Sequence, residues 1–566
     1  MADGSISSPD EAPHWAWIRL LLPSVVDILF VALLSVLVFT PVSVRLLGDA
    51  GIGWHIRTGQ QIVATHAIPR VDPFSSTMHG KPWFAWEWAY DVLVGKLERV
   101  AGLNGVVWFT ALVIAVVFAW TLQLLVRRGT GLLLALGLVL LAASASMIHF
   151  LARPHVVSWL FTLAWFAILD SSERHCTGGP GYGRGRRLLW LLPFLMLIWV
   201  NVHGGFLVAF VLLGIYLAGA AWEWFRLRER KLDELLLKLK ARQRARTLGL
   251  VGIFAVFATL ANPYGWRLHV HIYQYLSSRF LMDHIDEFQS PNFHGVAQRC
   301  FAALLLIALV ALAARARELR LSQGLVVLFA VYAGLYASRN IPVSSLLLVL
   351  ICGPLLSEAW KRLTARGFLN KLWRTRTAEL RSNRQLGAVA RKPFLQRMEA
   401  IESRLSGHVW PIVAVIATAC IAANGGRVGT RQLMNAHFDG KRFPARAVDF
   451  LERSDIRDPV LAPDYWGGYL IYRLYPKTLV VVDDRHDLYG EDFLKSYVRM
   501  VHVEPGWESF LREHDVHYVL MPRESPLANI LMLTTHWKTK DSDPGTVLFE
   551  RTESLVDAGP GRRNRP

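Results

Sequence analysis

Long uninterrupted apolar blocks constrain this chain more than anything else in it. The first contains VVDILFVALLSVLVF, and similar blocks recur almost to residue 425. A bilayer core needs about 20 apolar residues per helix, and helices packed inside a bundle can be shorter. Blocks at 22–47, 104–126, 130–149, 155–170, 188–202, 204–224, 248–262, 300–315, 321–338, 341–359 and 408–424 therefore predict about eleven spans. A hydrophobic content of 53% with mean hydropathy +0.30 is too apolar for a soluble chain of this length. The expected fold is mostly α: a polytopic membrane helix bundle over 1–425 with a long outer loop at 48–103, then a small soluble α/β domain over 426–566. The N-terminal MADGSISSPDEAPHW lacks a basic start and a small-residue cleavage site, so the first span reads as a retained helix.

Lys and Arg in the connections set the orientation, because basic loops stay on the cytoplasmic side. With the N-terminus inside, Arg127 and Arg128, GYGRGRR, the 226–246 run, ARARELR and the basic 360–407 segment all fall on that side. The net charge of +18 then reflects topology and attraction to anionic headgroups. No folded soluble reader accompanies the charge, which excludes nucleic acid as a partner. The charged 226–246 run has Leu-rich faces at helical spacing and reads as an interfacial or partner-binding helix. Cys176, Cys300, Cys352 and Cys420 form no CxxC pattern and no disulfide framework. GYGRG at 181–185 has no preceding strand, which excludes a nucleotide loop.

The same count puts nearly all the unusual polar residues on the other face. They lie in the opening loop GDAGIGWHIRTGQQIVATHAIPRVDPFSSTMHGKPWFAWEW, in HFLARPH, in NVHGG, in 262–295 and in SRN at 338–340. Ionisable groups at membrane depth are expensive and mark sites or pathways. The tail after the last span also emerges there. Its alternating pattern predicts a helix in FPARAVDFLERS, strands in PVLAP, TLVVVDD, VHYVLM and GTVLFER, a Trp-Gly-Gly turn, and helices in EDFLKSYVRM, WESFLREH and PLANILML. The cluster DDRHD at 483–487 reads as a solvated loop with Arg485 paired to an acid, or as a cation site. HVH at 269–271 lacks a placed carboxylate and is a weak metal candidate.

The order of these features is an apolar span, an acid just past its outer end, a Trp-, His- and Arg-rich segment, a P-x-x-DPFS turn, and aromatic sequence leading into the second span. It resembles the first outer loop of the GT-C superfamily of polytopic membrane glycosyltransferases, and more narrowly the bacterial glycosyltransferase-like membrane proteins. The resemblance implies an inverting enzyme of the bacterial inner membrane, N-terminus cytoplasmic and C-terminal domain extracytoplasmic. It would transfer a sugar from a polyprenyl-phosphate-linked donor to a glycan, lipid or protein acceptor. It implies that the carboxylate of the first outer loop, here Asp49, is catalytic. Gly51 stands where the second acid of an Asp-x-Asp pair would be, which leaves Asp72, Glu87 and Asp91 as secondary acidic candidates. No cofactor is implied with certainty, and a divalent cation, Mg²⁺ or Mn²⁺, stays open.

Transfer from a polyprenyl phosphate needs an acceptor for the hydroxyl proton and cationic groups for the developing phosphate charge. Asp49 suits the first task. His55, Arg57, Arg153, His155, His203, Arg267 and Arg339 suit the second, since guanidinium forks match phosphate oxygens. Asp49 could equally cap the following helix, and Arg153 and Arg339 could be interface anchors. Trp54, Trp83, Trp86 and Trp88 could form an aromatic belt or a sugar platform. Two other functions compete: a transporter or flippase of lipid-linked glycans, for which Asp27 is the main residue inside a span, and an inactive membrane scaffold.

Overall fold

The computed structural model describes residues 21–174, 182–227, 232–365 and 408–552, with Glu402 and Leu405 between. Cys176 and most of the 360–407 basic segment lie outside the described residues. The chain is a multi-pass membrane protein. Among the described residues six helices are long and apolar enough to cross a bilayer: Trp88–Arg127, Leu132–His149, His155–Arg174, Gly204–Arg226, Val296–Glu318 and Ser338–Leu363. Shorter apolar helices run Val25–Phe39, Leu321–Tyr336 and Val409–Ala423.

Several boundaries differ from the sequence reading for local reasons. The block 22–47 is not one helix. It ends at Phe39, because Pro41 forces Thr40 into extended backbone, and a short helix Val42–Leu46 follows. Trp88–Arg127 begins well before 104 and is interrupted at Gly102, whose φ of 60° breaks the helical path. The charged run and the span after it are one helix, Leu232–Thr259.

The chain divides into two compact units. One comprises 1–40, 111–149 and 290–421. Its centre is the helix Ile341–Ala365, packed against Leu132–Ser146, Val296–Arg315 and Leu321–Tyr336, with Leu346 through Cys352 buried. Asp27 sits in the first turn of Val25–Phe39 and not at mid-span. It closes a capping box with Ser24, and its Oδ1 lies 2.7 Å from His408 Nδ1.

The other unit comprises 41–110, 150–289 and 422–566. It holds the opening loop, the helices around His155–Arg174 and Leu207–Arg226, and the C-terminal α/β layer. Among the described residues β1 (Arg427–Val428) and β2 (Arg431–Gln432) form a small antiparallel pair, and four further strands lie in the order β3 (Val460–Leu461), β4 (Tyr518–Pro522), β6 (Thr546–Arg551) and β5 (Trp537–Ser542). The β3–β4 pair is parallel and the others antiparallel. Leu461, Val519, Met521 and Phe549 from this sheet pack on Leu494, Phe510 and Leu527 from helices Glu491–Val501, Glu508–Glu513 and Pro526–Leu533.

Two expectations for this layer need correction, and β5 is an addition to it. The Trp-Gly-Gly segment is helical, within Asp464–Leu474. Its glycines serve contact: a Cβ on Gly468 would lie 2.2 Å from the Ala50 carbonyl oxygen, and one on Gly53 would lie 2.0 Å from that of Gly468. Only residues without side chains let these two backbones meet. TLVVVDD does not form a regular strand. It runs beside the opening loop, where Ser76 N–H donates to the Val480 carbonyl (2.8 Å) and Val480 N–H donates to that of Phe74 (3.2 Å). The DPFS turn is thereby stitched onto the C-terminal layer.

Candidate active site

The site begins where the chain leaves Leu47. Asp49 precedes the helix Ile52–Thr65, whose N-cap is Gly51, so Asp49 is not itself the cap. Its Oδ1 accepts from Gly51 N–H at 2.8 Å, a local turn that aims the other oxygen outward. That oxygen, Oδ2, accepts from Arg153 Nη1 at 3.1 Å. Arg153 lies in the short connection before the helix His155–Arg174. Its second terminal nitrogen, Nη2, is 3.7 Å from Asp484 Oδ2. Asp484 belongs to the DDRHD cluster, and its Oδ1 accepts from Trp54 Nε1 at 3.0 Å. One guanidinium thus stands between two carboxylates, one from the opening loop and one from the C-terminal layer.

The arrangement is accessible but not solvated. Arg153 and Asp49 side chains are 25% exposed and that of Asp484 is 14% exposed. Burial acts against the charge on Arg153, and Asp49, Glu287, Asp484 and Glu87 together outweigh it, so its affinity for the proton rises above the ordinary value. Asp484 behaves otherwise. Burial first, with Asp49 and Asp483 adding negative charge, pushes its carboxyl up to about 7 against the opposing pull of Arg153 and His486.

Behind this pair lies a chain of polar side chains. His55 is fully buried, with Nδ1 2.6 Å from Asp91 Oδ1 and Nε2 3.7 Å from Glu87 Oε2. Burial and then the charge of Arg153 depress its proton affinity. Glu87 Oε1 is also 3.7 Å from His203 Nε2. His203 Nδ1 accepts from Gly205 N–H (3.0 Å) and lies 2.7 Å from Ser158 Oγ, which accepts from Trp199 Nε1 (2.7 Å).

The remaining predicted residues are placed as follows. Arg57 turns away and donates to the Tyr472 carbonyl, tying the helix Ile52–Thr65 to Asp464–Leu474. Asp72 is buried, accepts from Phe74 N–H, Ser75 N–H and Ser75 Oγ, and pairs with Arg485 Nη1 at 2.8 Å. Arg485 is itself buried and clamps Asp483 through Nε (2.8 Å) and Nη2 (2.7 Å), so DDRHD is not a solvated loop. His155 packs its ring on Trp159, with centroids 5.5 Å apart. Arg267 is exposed at the start of the helix Arg267–Ser277, and Arg339 lies in the other unit, in the turn Ser338–Asn340.

Trp54 and Trp83 are scaffold for the site. Trp54 and Trp83 are buried, Trp83 lies under the Arg485 guanidinium (4.6 Å), and Trp88 Nε1 donates to Asn201 Oδ1 (2.8 Å). His271 of the HVH pair lies 2.9 Å from Asp487.

Among the described residues no three His, Cys, Asp or Glu side chains converge as a metal site. At Asp49 and Asp484 the positive charge between the two carboxylates is supplied by Arg153. Sequence reasoning missed Asp484. The one signal was a pair of adjacent acids after an apolar run, of which one could be neutralised by Arg485 and the other left over.

No family model matches the chain, and no curated protein does. Solved structures do match. The archaeal oligosaccharyltransferase AglB from Archaeoglobus fulgidus, in complex with an inhibitory peptide and a dolichol-phosphate, aligns with TM-score 0.51 at 10% identity, covering 90% of this chain and 70% of that one. The apo form of the Archaeoglobus fulgidus oligosaccharyltransferase aligns with TM-score 0.50 at 12% identity, with the same coverage. At such identities it is the fold alone that is shared with these oligosaccharyltransferases.

Proposed function

We propose that this chain is a membrane glycosyltransferase. It transfers a sugar, with inversion, from a polyprenyl-phosphate-linked donor to an acceptor on the extracytoplasmic face of a bacterial inner membrane. The observation that carries the reading is the meeting of Asp49 and Asp484 on Arg153, within a GT-C fold, at the place where a loop follows the first apolar helix. The carboxylates suit an incoming hydroxyl, and the guanidinium suits charge that develops on a departing phosphate. His155, His203 and Arg267 are proposed to meet the donor phosphate, supported by their positions at the ends of helices, where headgroup phosphates lie; Arg339, in the other unit, is proposed only as a headgroup-phosphate contact.

The transporter reading drew on the cationic outer vestibule and on Asp27 as its residue inside a span, and the scaffold reading on the missing second acid. Asp27 would have marked a transport pathway, and it is engaged in a helix cap and with His408. The lack of a second acid suggested a scaffold, and Asp484 stands beside Gly51 where that acid was missing.

The test is transfer from undecaprenyl-phosphate-linked sugars by purified protein in nanodiscs. Asp49→Asn keeps size and the turn to Gly51 but breaks the charged pairing with Arg153, and should lower turnover by up to about 10²-fold. Near-native turnover in that variant would remove Asp49 from the chemistry.

A further inference from the structure

Two carboxylates at one site raise the question of which one takes a proton. Each oxygen of Asp49 has a strong donor: Gly51 N–H on Oδ1 and Arg153 on Oδ2. Both carboxylate oxygens of Asp49 are therefore already engaged by donors. Asp484 is held differently. Among the described residues only Oδ1 has a hydrogen-bond donor close by, Trp54 at 3.0 Å, while Oδ2 is 3.7 Å from Arg153, outside hydrogen-bond range. That same Oδ2 fills the space above Gly51, 2.6 Å from where a Cβ would stand.

We propose that Asp484, contributed by the C-terminal layer, is the general base, and that Asp49 and Arg153 form the fixed ion pair that positions it. This deepens the transferase reading and rests on it. In the step, the acceptor O–H bond breaks as its oxygen bonds to the anomeric carbon of the donor sugar. The proton passes to Asp484 Oδ2. The bond from the anomeric carbon to the phosphate oxygen breaks, and its electron pair leaves on the polyprenyl phosphate, beside Arg153.

The charged groups facing Asp484 are Asp49 and Arg153 from the opening loop and the connection before His155–Arg174, and Asp483 and His486 from its own segment. His486 is in turn held by Asp464, with Nε2 2.7 Å from Oδ2. The balance of these groups with burial puts the carboxyl near 7, where a base of this kind works best. Removing Asp49 takes away a like charge and moves Asp484 down in pH; removing Arg153 moves it up.

The experiment has two arms on full-length protein in nanodiscs. In the first, infrared difference spectra follow the protonated carboxyl stretch from pH 5 to 9. A band lost around pH 7 should vanish in Asp484→Asn and shift to lower pH in Asp49→Asn. In the second, turnover of an undecaprenyl-phosphate-linked hexose is measured over the same range.

Wild-type activity should rise through pH 7. Asp484→Asn should lose about 10²-fold or more and lose the pH dependence, and Asp484→Glu should recover part of both. An unchanged titrating band in Asp484→Asn overturns the proposal. So does a wild-type pH rise that survives in that variant, with the transferase reading left standing. If the hexose and other sugars so linked are never turned over by wild type, the transferase reading falls, and the base role with it.

Discussion

Asp484 occupies the space that a side chain on Gly51 would need: a Cβ there would lie 2.6 Å from Asp484 Oδ2, 3.0 Å from Asp49 Oδ1 and 3.3 Å from Arg153 Nη2. The glycine is required for room and not for conformation, since its φ of −55° and ψ of −27° suit any residue. Gly51→Ala should therefore leave thermal stability nearly unchanged while displacing the Asp484 carboxylate. Turnover should fall by 10-fold or more, up to about 10²-fold for a shift near 1 Å. A variant with native turnover would show that Asp484 has no part in transfer.

Arg153 offers a complementary test of sign. Arg153→Gln removes the cation that favours ionised Asp484, so the rising limb of the pH–rate profile should move to higher pH. Arg153→Lys keeps the charge but cannot span both carboxylates, and should keep the limb in place with reduced turnover. EDTA should leave wild-type turnover unchanged, because the guanidinium supplies the charge between the carboxylates. A chelator-sensitive enzyme would refute that assignment.

Arg485 serves stability. Its guanidinium neutralises both Asp72 and Asp483 in a buried place and lies over the Phe74 and Trp83 rings. Arg485→Met would strand two buried carboxylates and should cost about 3–5 kcal/mol. Asp72→Asn retains part of the turn and should cost less. Unfolding midpoints in nanodiscs, compared between the two variants, decide this; equal midpoints for Arg485→Met and wild type would contradict it.

Orientation can be read by labelling. In a cysteine-free background, Arg317→Cys should be shielded from an impermeant reagent added outside, and Lys538→Cys, exposed on β5, should react. The reverse pattern would place the site on the cytoplasmic face.

The apolar helices were legible in the sequence because burial in a bilayer acts on every residue of a span. Their ends were less so, since local backbone chemistry decides them, as Pro41 does for the first block. Asp49 and Arg153 were each legible as unusual residues on outer connections, though not as partners. Asp484 was not, because its role depends on where a segment far along the chain comes to rest.

The Trp-Gly-Gly stretch misled for a related reason. Glycine pairs signal turns locally, yet Gly467 and Gly468 lie inside a helix because a Cβ on either would strike the Asp483 Cα (2.5 Å) or the Ala50 carbonyl oxygen (2.2 Å).

The near contact of Gly53 with Gly468 bears on when activity can appear during the life of the molecule. Ribosomes finish Asp49 and Arg153 long before Asp484, so the nascent chain carries an acid and a guanidinium with no third member. The third arrives only when Asp464–Leu474 settles on Ile52–Thr65, backbone against backbone. On the proposed reading, synthesis cut short before that helix leaves Asp49 and Arg153 without their third member.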